Sequence, residues 1–193
     1  MFKEGYMKNR LVGRHLSFVL MMFLSFAVLA GPAMCEDLPK ENETLPDMDL
    51  IAPAAESDRQ YLGISESAFK LRHVKADVMV VEVLGVYCPY CYEQAPLFRN
   101  LFNRLQDGKL KDKVKMFGVA AGATAMEVEY LREQGQYNYP IVEDPQYSVH
   151  KLLGEPKTPF TMIVDKEGKV LFAHQGIIRD IDSFYSRIGE LAE

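Results

Sequence analysis

The sequence predicts an α/β domain built on a central mixed β-sheet that is flanked by helices. Short apolar runs, which are typical of buried strands, alternate with segments whose apolar residues recur every three to four positions, as in helices. Two apolar runs near the C-terminus are joined by DKEG at 165–168, which indicates a β-hairpin. Strand–helix–strand units predict parallel strands and the hairpin an antiparallel pair, so the sheet is expected to be mixed.

The first 35 residues are predicted to be a secretory signal peptide. A basic stretch through Arg14 precedes fifteen uncharged residues, LSFVLMMFLSFAVLA at 16–30, and small residues follow. Fifteen residues fall short of the ~20 that span a bilayer, and a retained single-span anchor is the alternative. Cleavage after Ala30 or after Cys35 fits the pattern. Cleavage after Cys35 is favoured because it removes the odd cysteine. Lipidation of Cys35 is disfavoured because Pro32-Ala33-Met34 is a poor match to the small-residue pattern of bacterial lipoproteins.

Residues 36–60 are rich in acids and contain three prolines without a sustained apolar period. This composition predicts an extended linker, which leaves residues 61–193 as the folded domain. The net charge of −5 comes without a basic cluster, which argues against nucleic-acid binding. The sequence shows no long exposed apolar face that would indicate an obligate dimer, so a monomer is expected.

Each predicted element follows from a local pattern of apolar residues. Runs of mostly apolar residues predict strands, whereas apolar residues three to four positions apart predict helices. Glycines at 108 and 154 mark two helix ends. In chain order the prediction is strands 61–64 and 68–71 as a hairpin, strand 78–84, a helix from the cysteines to about residue 105, strand 114–120, helix 125–134, strand 140–142, helix 145–153, strands 160–164 and 169–173, and a final helix with Ile181, Phe184, Tyr185, Ile188 and Leu191 on one face.

Cys88 and Cys91 lie where strand 78–84 passes into the following helix. The first cysteine begins the helix, where free backbone N–H groups and the helix dipole stabilise a thiolate. The second lies one turn along, within disulfide reach but farther inside. Pro89 suits the first helical turn because it has no N–H to satisfy. The pattern predicts redox chemistry in which Cys88 attacks and Cys91 resolves.

Two other interpretations of the cysteine pair are weaker. A structural zinc site needs two further ligands at short spacing, and the remaining cysteine and histidines are scattered singly along the sequence. No metal is therefore expected. A purely structural disulfide that closes so small a ring contributes little stability.

Glu82 is an acid in the middle of the apolar strand 78–84, six residues before Cys88. Because burying an unpaired charge is costly, a buried acid is neutral, paired or functional. We expect Glu82 to lie beneath the cysteine pair and to exchange a proton with Cys91, with its pKa raised by burial. The alternative is an acid on an edge strand that points into water.

The segment from about residue 61 to 192 resembles thioredoxin-fold oxidoreductases, specifically the exported, TlpA-like, redoxin-type branch. The resemblance rests on EVLGVYCPYC at 82–91, Pro96, KTPF at 157–160 and the tract 139–176. It implies a thioredoxin-like fold and thiol–disulfide exchange, with no cofactor other than a redox-active disulfide between Cys88 and Cys91.

The resemblance also implies roles for individual residues. Glu82 matches the family's buried acid, Pro96 the proline that kinks the active-site helix, and Pro159 a cis-proline that faces the disulfide. Thr158 would offer its backbone to an extended substrate, and Tyr87 would form the floor of the substrate groove. The residues implied in substrate binding are Tyr87, Pro89, Tyr90, Thr158, Pro159 and Gly176.

The implied function is that of an extracytoplasmic thiol–disulfide oxidoreductase, either periplasmic or anchored to the inner membrane. A reductase of exported thiol proteins, apocytochromes among them, is favoured, and it would be recharged by a membrane electron donor. The Pro89-Tyr90 dipeptide is more familiar from glutaredoxins, so a disulfide-donating oxidase or isomerase with a membrane electron acceptor is an alternative. A thiol peroxidase and a non-catalytic binding module are further alternatives. Peroxiredoxins carry Thr or Ser three residues before the reactive cysteine, where this chain has Gly85.

Overall fold

The computed structural model describes residues 37–193. The predicted signal peptide, its alternative as an anchor, and Cys35 lie outside the described residues. Within them, a short 3₁₀ turn (Leu71–His73) accompanies the strands and α-helices. In chain order these are β1 (Leu50–Ile51), α1 (Glu56–Leu62), β2 (Ala68–Phe69), β3 (Val78–Leu84), α2 (Pro89–Asp107), β4 (Val114–Ala121), α3 (Ala125–Glu133), β5 (Ile141–Asp144), α4 (Ser148–Leu152), β6 (Phe160–Asp165), β7 (Val170–Gln175) and α5 (Ile181–Leu191).

A five-stranded sheet of order β5-β4-β3-β6-β7 forms the centre of the molecule. Strand β3 pairs with β4 in parallel, and β4 pairs with β5 in parallel. Strand β6 is antiparallel to both β3 and β7. The predicted mixed sheet is therefore confirmed, with the strand–helix units on one side of β3 and the hairpin on the other.

Both faces of β3 are buried, which explains its nearly continuous apolar sequence. The face with Val78, Val80 and Leu84 packs against the helices α2 and α5, whereas the face with Met79 and Val83 packs against the layer that includes β1 and β2. Each large apolar side chain buried in this way contributes about 1.5–3 kcal/mol. Glu82 lies on the first of these faces, so β3 carries a carboxyl into the core under α2.

Part of the segment predicted as an extended linker, from about residue 42 to 51, packs onto the rest of the domain. The backbone N–H of Asn42 donates to Val170 O at 2.8 Å, and the N–H of Val170 donates to Glu43 O at 2.8 Å. Strand β1 pairs antiparallel with β2. Leu45, Met48 and Leu50 are buried.

The predicted hairpin of strands 61–64 and 68–71 is wrong, and only part of its second strand is present. Tyr61 and Leu62 belong to α1, which ends at Gly63 in the left-handed conformation. Only Ala68–Phe69 is extended, and it pairs with β1 and not with residues 61–64. Strand β1 pairs with residues 68–69, and residues 42–43 bond to Val170. Because these partners are distant in sequence, local periodicity did not reveal either pairing.

The packing of strand β1 against the rest of the domain can be tested by mutation. We expect Leu50→Ala to destabilise the protein by about 2 kcal/mol, the lower end of the range for buried leucines, because a two-residue strand can relax around the cavity. The neighbouring Ile51 is 38% exposed, so Ile51→Ala is a matched control with a much smaller effect. Urea unfolding of both variants measures the difference. Equal effects would mean that this segment does not pack as described.

None of the helices within residues 37–193 is long and apolar enough to cross a membrane.

Candidate active site

The cysteine pair lies at the start of α2, directly after β3. Cys88 is the N-cap of α2 and Pro89 occupies the first turn. The backbone N–H of Cys91 donates to Cys88 Sγ at 3.3 Å, as expected for a sulfur at a helix N-terminus. Cys88 is half-buried and Cys91 is buried, and both are free thiols. The more accessible sulfur is thus the one that the helix N-terminus stabilises.

The two cysteines have opposite pKa shifts. Burial opposes ionisation of Cys88, but hydrogen bonds from Cys91, from Thr158 and from the backbone outweigh it and lower the Cys88 pKa. Burial raises the pKa of Cys91 far above its usual range, and the bond with Cys88 and the charge of Glu82 add to this effect. Cys88 is therefore suited to attack as a thiolate. Cys91 must give up its proton to another group before it can react.

Glu82 is fully buried in the central strand β3. Gln94 Nε2 donates to Glu82 Oε1 at 2.7 Å, and the Tyr139 hydroxyl is hydrogen-bonded to Glu82 Oε2. Burial raises the pKa of Glu82 to about 7, although the bonds from Tyr139 and Gln94 act in the opposite direction. The alternative that Glu82 lies on an edge strand and points into water is therefore excluded. The Glu82 carboxyl has the proton affinity of a group that exchanges protons near neutral pH.

Sequence reasoning missed Gln94 and Tyr139. Gln94 lies three residues after Cys91, on the buried face of α2 beside Ala95 and Phe98. A polar residue on an apolar helix face was a signal that could have identified it. Tyr139 precedes β5 and is fully buried, but nothing in its local sequence distinguishes it from a core aromatic residue.

A groove of about 340 Å³ opens beside the cysteines, along the start of β6 and the end of β7. The bond between Thr158 and Pro159 is cis, as the resemblance implies, and Thr158 O lies 3.3 Å from Cys88 Sγ. The groove is lined by Tyr90, Lys157, Thr158, Pro159, Gln175, Gly176, Ile177 and Arg179.

Most of the predicted substrate-contacting residues thus meet at one place. Gly176 has φ +104°, which favours glycine, and its N–H donates to Pro159 O at 2.8 Å. Tyr87 lies outside the lining of this groove. Its hydroxyl donates to Glu127 Oε1 of α3 at 3.0 Å, while its ring stays 77% exposed. Pro96 lies inside α2, as implied.

Among residues 37–193, no group of three or more His, Cys, Asp or Glu side chains is arranged to hold a metal ion. The titratable groups that meet around the cysteine pair and Glu82 are thiols, phenols and one carboxyl. Such groups can exchange electrons through sulfur and protons through oxygen.

Comparison with known proteins agrees with this geometry. Thiol-disulfide oxidoreductase ResA of Geobacillus thermodenitrificans is 31% identical over 86 residues, 45% of this chain and 47% of that protein. The chain thus matches about half the length of this relative. A Chlorobium tepidum protein assigned as thiol:disulfide interchange protein DsbE superposes with a TM-score of 0.63 at 17% identity, covering 80% of this chain and 99% of that one.

The thioredoxin domain of a thiol-disulfide oxidoreductase from Bacteroides vulgatus superposes with a TM-score of 0.58 at 16% identity, covering 80% of this chain and 99% of that one. These likenesses confirm the predicted thioredoxin-like fold. The Redoxin family model matches residues 40–186, a span that begins inside the segment predicted as a linker and ends within α5. Because this match covers most of the sequence, the chain belongs to the Redoxin family.

Proposed function

We propose that the protein is an extracytoplasmic thiol–disulfide oxidoreductase that acts on exported proteins. The observation that supports this most directly is the opposite pKa shift of two cysteines that lie three residues apart beside an open groove. The Redoxin family and the resemblance to thiol-disulfide oxidoreductase ResA support the same activity.

The proposed reaction begins when the Cys88 thiolate attacks a client disulfide. A mixed disulfide forms between Cys88 and one client sulfur, and the other client sulfur leaves as a thiolate that takes a proton. Cys91 then transfers its proton to ionised Glu82 and attacks Cys88 Sγ. This attack expels the second client sulfur as a thiolate that takes a proton from water, and it leaves a Cys88–Cys91 disulfide, so the client gains the two electrons that the protein loses.

The groove offers a binding mode for the client. Thr158 O lies beside Cys88 Sγ at the cis-proline, where an extended client segment can lie against this backbone. The exposed ring of Tyr90, 64% accessible, and the positive charges of Lys157 and Arg179 line the same groove. We therefore propose a polypeptide client in an extended conformation, with apocytochromes as one candidate class.

The proposed direction is reduction of clients, with reducing equivalents supplied by a membrane donor. The raised pKa of Glu82 supports proton transfer from Cys91 in this reaction, because an ionisable acid close to Cys91 frees the resolving thiolate. It does not by itself set the direction. An oxidase would run the same steps backwards.

The reduction potential of the cysteine pair tests the proposal and its direction. We expect a value near that of thioredoxin, about −270 mV, after equilibration of the purified protein with dithiothreitol buffers. A potential near about −120 mV would indicate a disulfide donor instead. In parallel, the reduced protein should catalyse reduction of insulin disulfides, and a wild-type protein without such turnover would be a binding module.

A further inference from the structure

We infer that Gln94 and Tyr139 are positioning residues that hold the Glu82 carboxyl in one orientation and keep its transferable proton on Oε2. The inference rests on the proposed function, because it concerns the acid that receives the Cys91 proton. It goes beyond that function in assigning the groups that set when Glu82 can accept a proton.

Gln94 has its amide orientation fixed by the backbone. Its Oε1 accepts a hydrogen bond from the N–H of Ile178 at 2.9 Å, and a backbone N–H can only donate. The amide oxygen therefore faces Ile178 and the NH₂ group faces Glu82, where Nε2 lies 2.7 Å from Oε1. Since this NH₂ can only donate, Oε1 of Glu82 is an acceptor in every protonation state, and a proton on the carboxyl belongs on Oε2.

Tyr139 meets the other carboxyl oxygen. Its hydroxyl is hydrogen-bonded to Glu82 Oε2 in a fully buried position. Burial raises the pKa of Tyr139 well above its usual value, and the nearby Glu82 charge adds to this effect, so the ring stays a phenol. A phenol hydroxyl can donate or accept. It donates to the ionised carboxylate, and it rotates to accept when Oε2 carries the proton.

Among the described residues, Gln94 and Tyr139 are the side chains that hydrogen-bond to the Glu82 carboxyl. The other groups around Glu82 make no such bond. Titratable groups reach it from α2, as Cys91, and from the segment before β5, as Tyr137 and Tyr139. The strand β4 offers Gly118 opposite Glu82, and β6 offers Thr161, whose buried hydroxyl has no protein partner in the described structure. The charged form of Glu82 is thus stabilised against burial by one amide and one phenol.

Gln94 also connects Glu82 to the loop at the groove, because it is hydrogen-bonded to both Glu82 and the backbone of Ile178. Ile178 follows Ile177 and precedes Arg179, both of which line the groove. Arg179 is paired with Glu93 of α2 at 2.7 Å, so two successive residues of α2 hold this loop. The orientation of Gln94, and with it the position of the Glu82 proton, therefore depends on the loop that forms the groove wall.

The Tyr139→Phe variant tests the inference. It removes the donor to the carboxylate but keeps the ring, which packs against Tyr137 and Phe102 with ring centroids 5.7 and 6.0 Å away. We expect the Glu82 titration midpoint to rise by about one to two pH units, because a hydrogen bond to a charged group is lost. The readout is the ¹³C carboxyl resonance of Glu82, identified by its absence in Glu82→Gln. Gln94→Leu should raise the midpoint as well.

Tyr137→Phe is the matched control. Tyr137 is another buried phenol of the same segment, but its hydroxyl bonds to the backbone oxygen of Cys91 at 3.4 Å and not to Glu82. We expect it to leave the Glu82 midpoint in place. An unchanged midpoint in Tyr139→Phe, or an equal shift in Tyr137→Phe, would overturn the inference.

Insulin reduction separates this inference from the proposed function. If both hold, the pH profile of exchange in Tyr139→Phe moves to higher pH by the same amount as the Glu82 midpoint, and activity returns at alkaline pH. The carboxyl titration needs no client. If the Glu82 midpoint shifts in Tyr139→Phe but the wild-type protein does not reduce insulin, the inference is supported and the proposed function is refuted. If the wild-type protein reduces insulin but the midpoint does not shift, the proposed function is supported and the inference is refuted.

Discussion

Replacing Cys91 by serine is expected to trap the protein in mixed disulfides with its clients. The bond from the Cys91 thiol to Cys88 is replaced by one from the serine hydroxyl, and the backbone N–H of residue 91 still donates to Cys88 Sγ at the helix N-terminus. Cys88 therefore keeps a lowered pKa and still attacks. Without a resolving thiol the covalent intermediate persists until an external thiol releases it. Turnover of insulin should fall to background, while a species with one client chain per protein accumulates on non-reducing gels.

Cys88→Ser and the double variant provide the controls. Cys91 is fully buried and its pKa is raised by burial, so it should not replace Cys88 as the attacking group. We expect neither control variant to form client adducts. Adducts formed by Cys88→Ser at the rate of Cys91→Ser would show that the assigned order of the two sulfurs is wrong.

The structure bears out the predicted strand and helix on either side of the cysteine pair, for which the evidence was local. Strand β3 and helix α2 were predicted from runs and spacings within a few residues, and the structure places them within two or three residues of the expected bounds. Glu82 was found because a single acid interrupted an apolar strand. Its burial is now confirmed, whereas its role in proton transfer stays a prediction.

The missed features depend on contacts between distant parts of the chain. Strand β1 has its partner Phe69 across the intervening helix α1, and Glu43 bonds to Val170 of the C-terminal hairpin. Neither pairing leaves a local period. Tyr139 is separated from Glu82 by 57 residues and meets it only because β4 lies between β3 and β5. A tyrosine before a short strand has no sequence signal for such a contact.

Replacing Glu82 by glutamine is expected to stabilise the protein at alkaline pH and to slow exchange. The folded-state pKa is about 7 against a reference value of 4.5, so the folded protein binds this proton more tightly than the unfolded chain does. The resulting stabilisation is fully present below about pH 4.5 and is lost as the pH rises through about 7. The loss amounts to about 3 kcal/mol by pH 8.5.

Glutamine avoids this loss because it stays neutral at every pH. Its oxygen can accept from Gln94 Nε2 and its NH₂ can donate to the Tyr139 hydroxyl, which reproduces the hydrogen bonds of protonated Glu82. Urea unfolding of the reduced proteins should therefore give equal free energies near pH 4.5. Near pH 8.5 the variant should be more stable by about 3 kcal/mol. A difference that does not change with pH would contradict the raised pKa.

Whereas Glu82→Gln should gain stability at alkaline pH, its rate of thiol–disulfide exchange should fall. Without a carboxylate, Cys91 has no buried acceptor for its proton, so resolution of the mixed disulfide should slow by about 10²-fold, the lower end for general acid–base catalysis. The rise in rate through about pH 7 should disappear with it. Single-turnover release of a labelled client across pH 6 to 9 measures both effects. A substitution that gains stability and loses rate would mean that the fold tolerates an unfavourable buried charge for the sake of proton transfer, and an unchanged rate would assign Glu82 to the core alone.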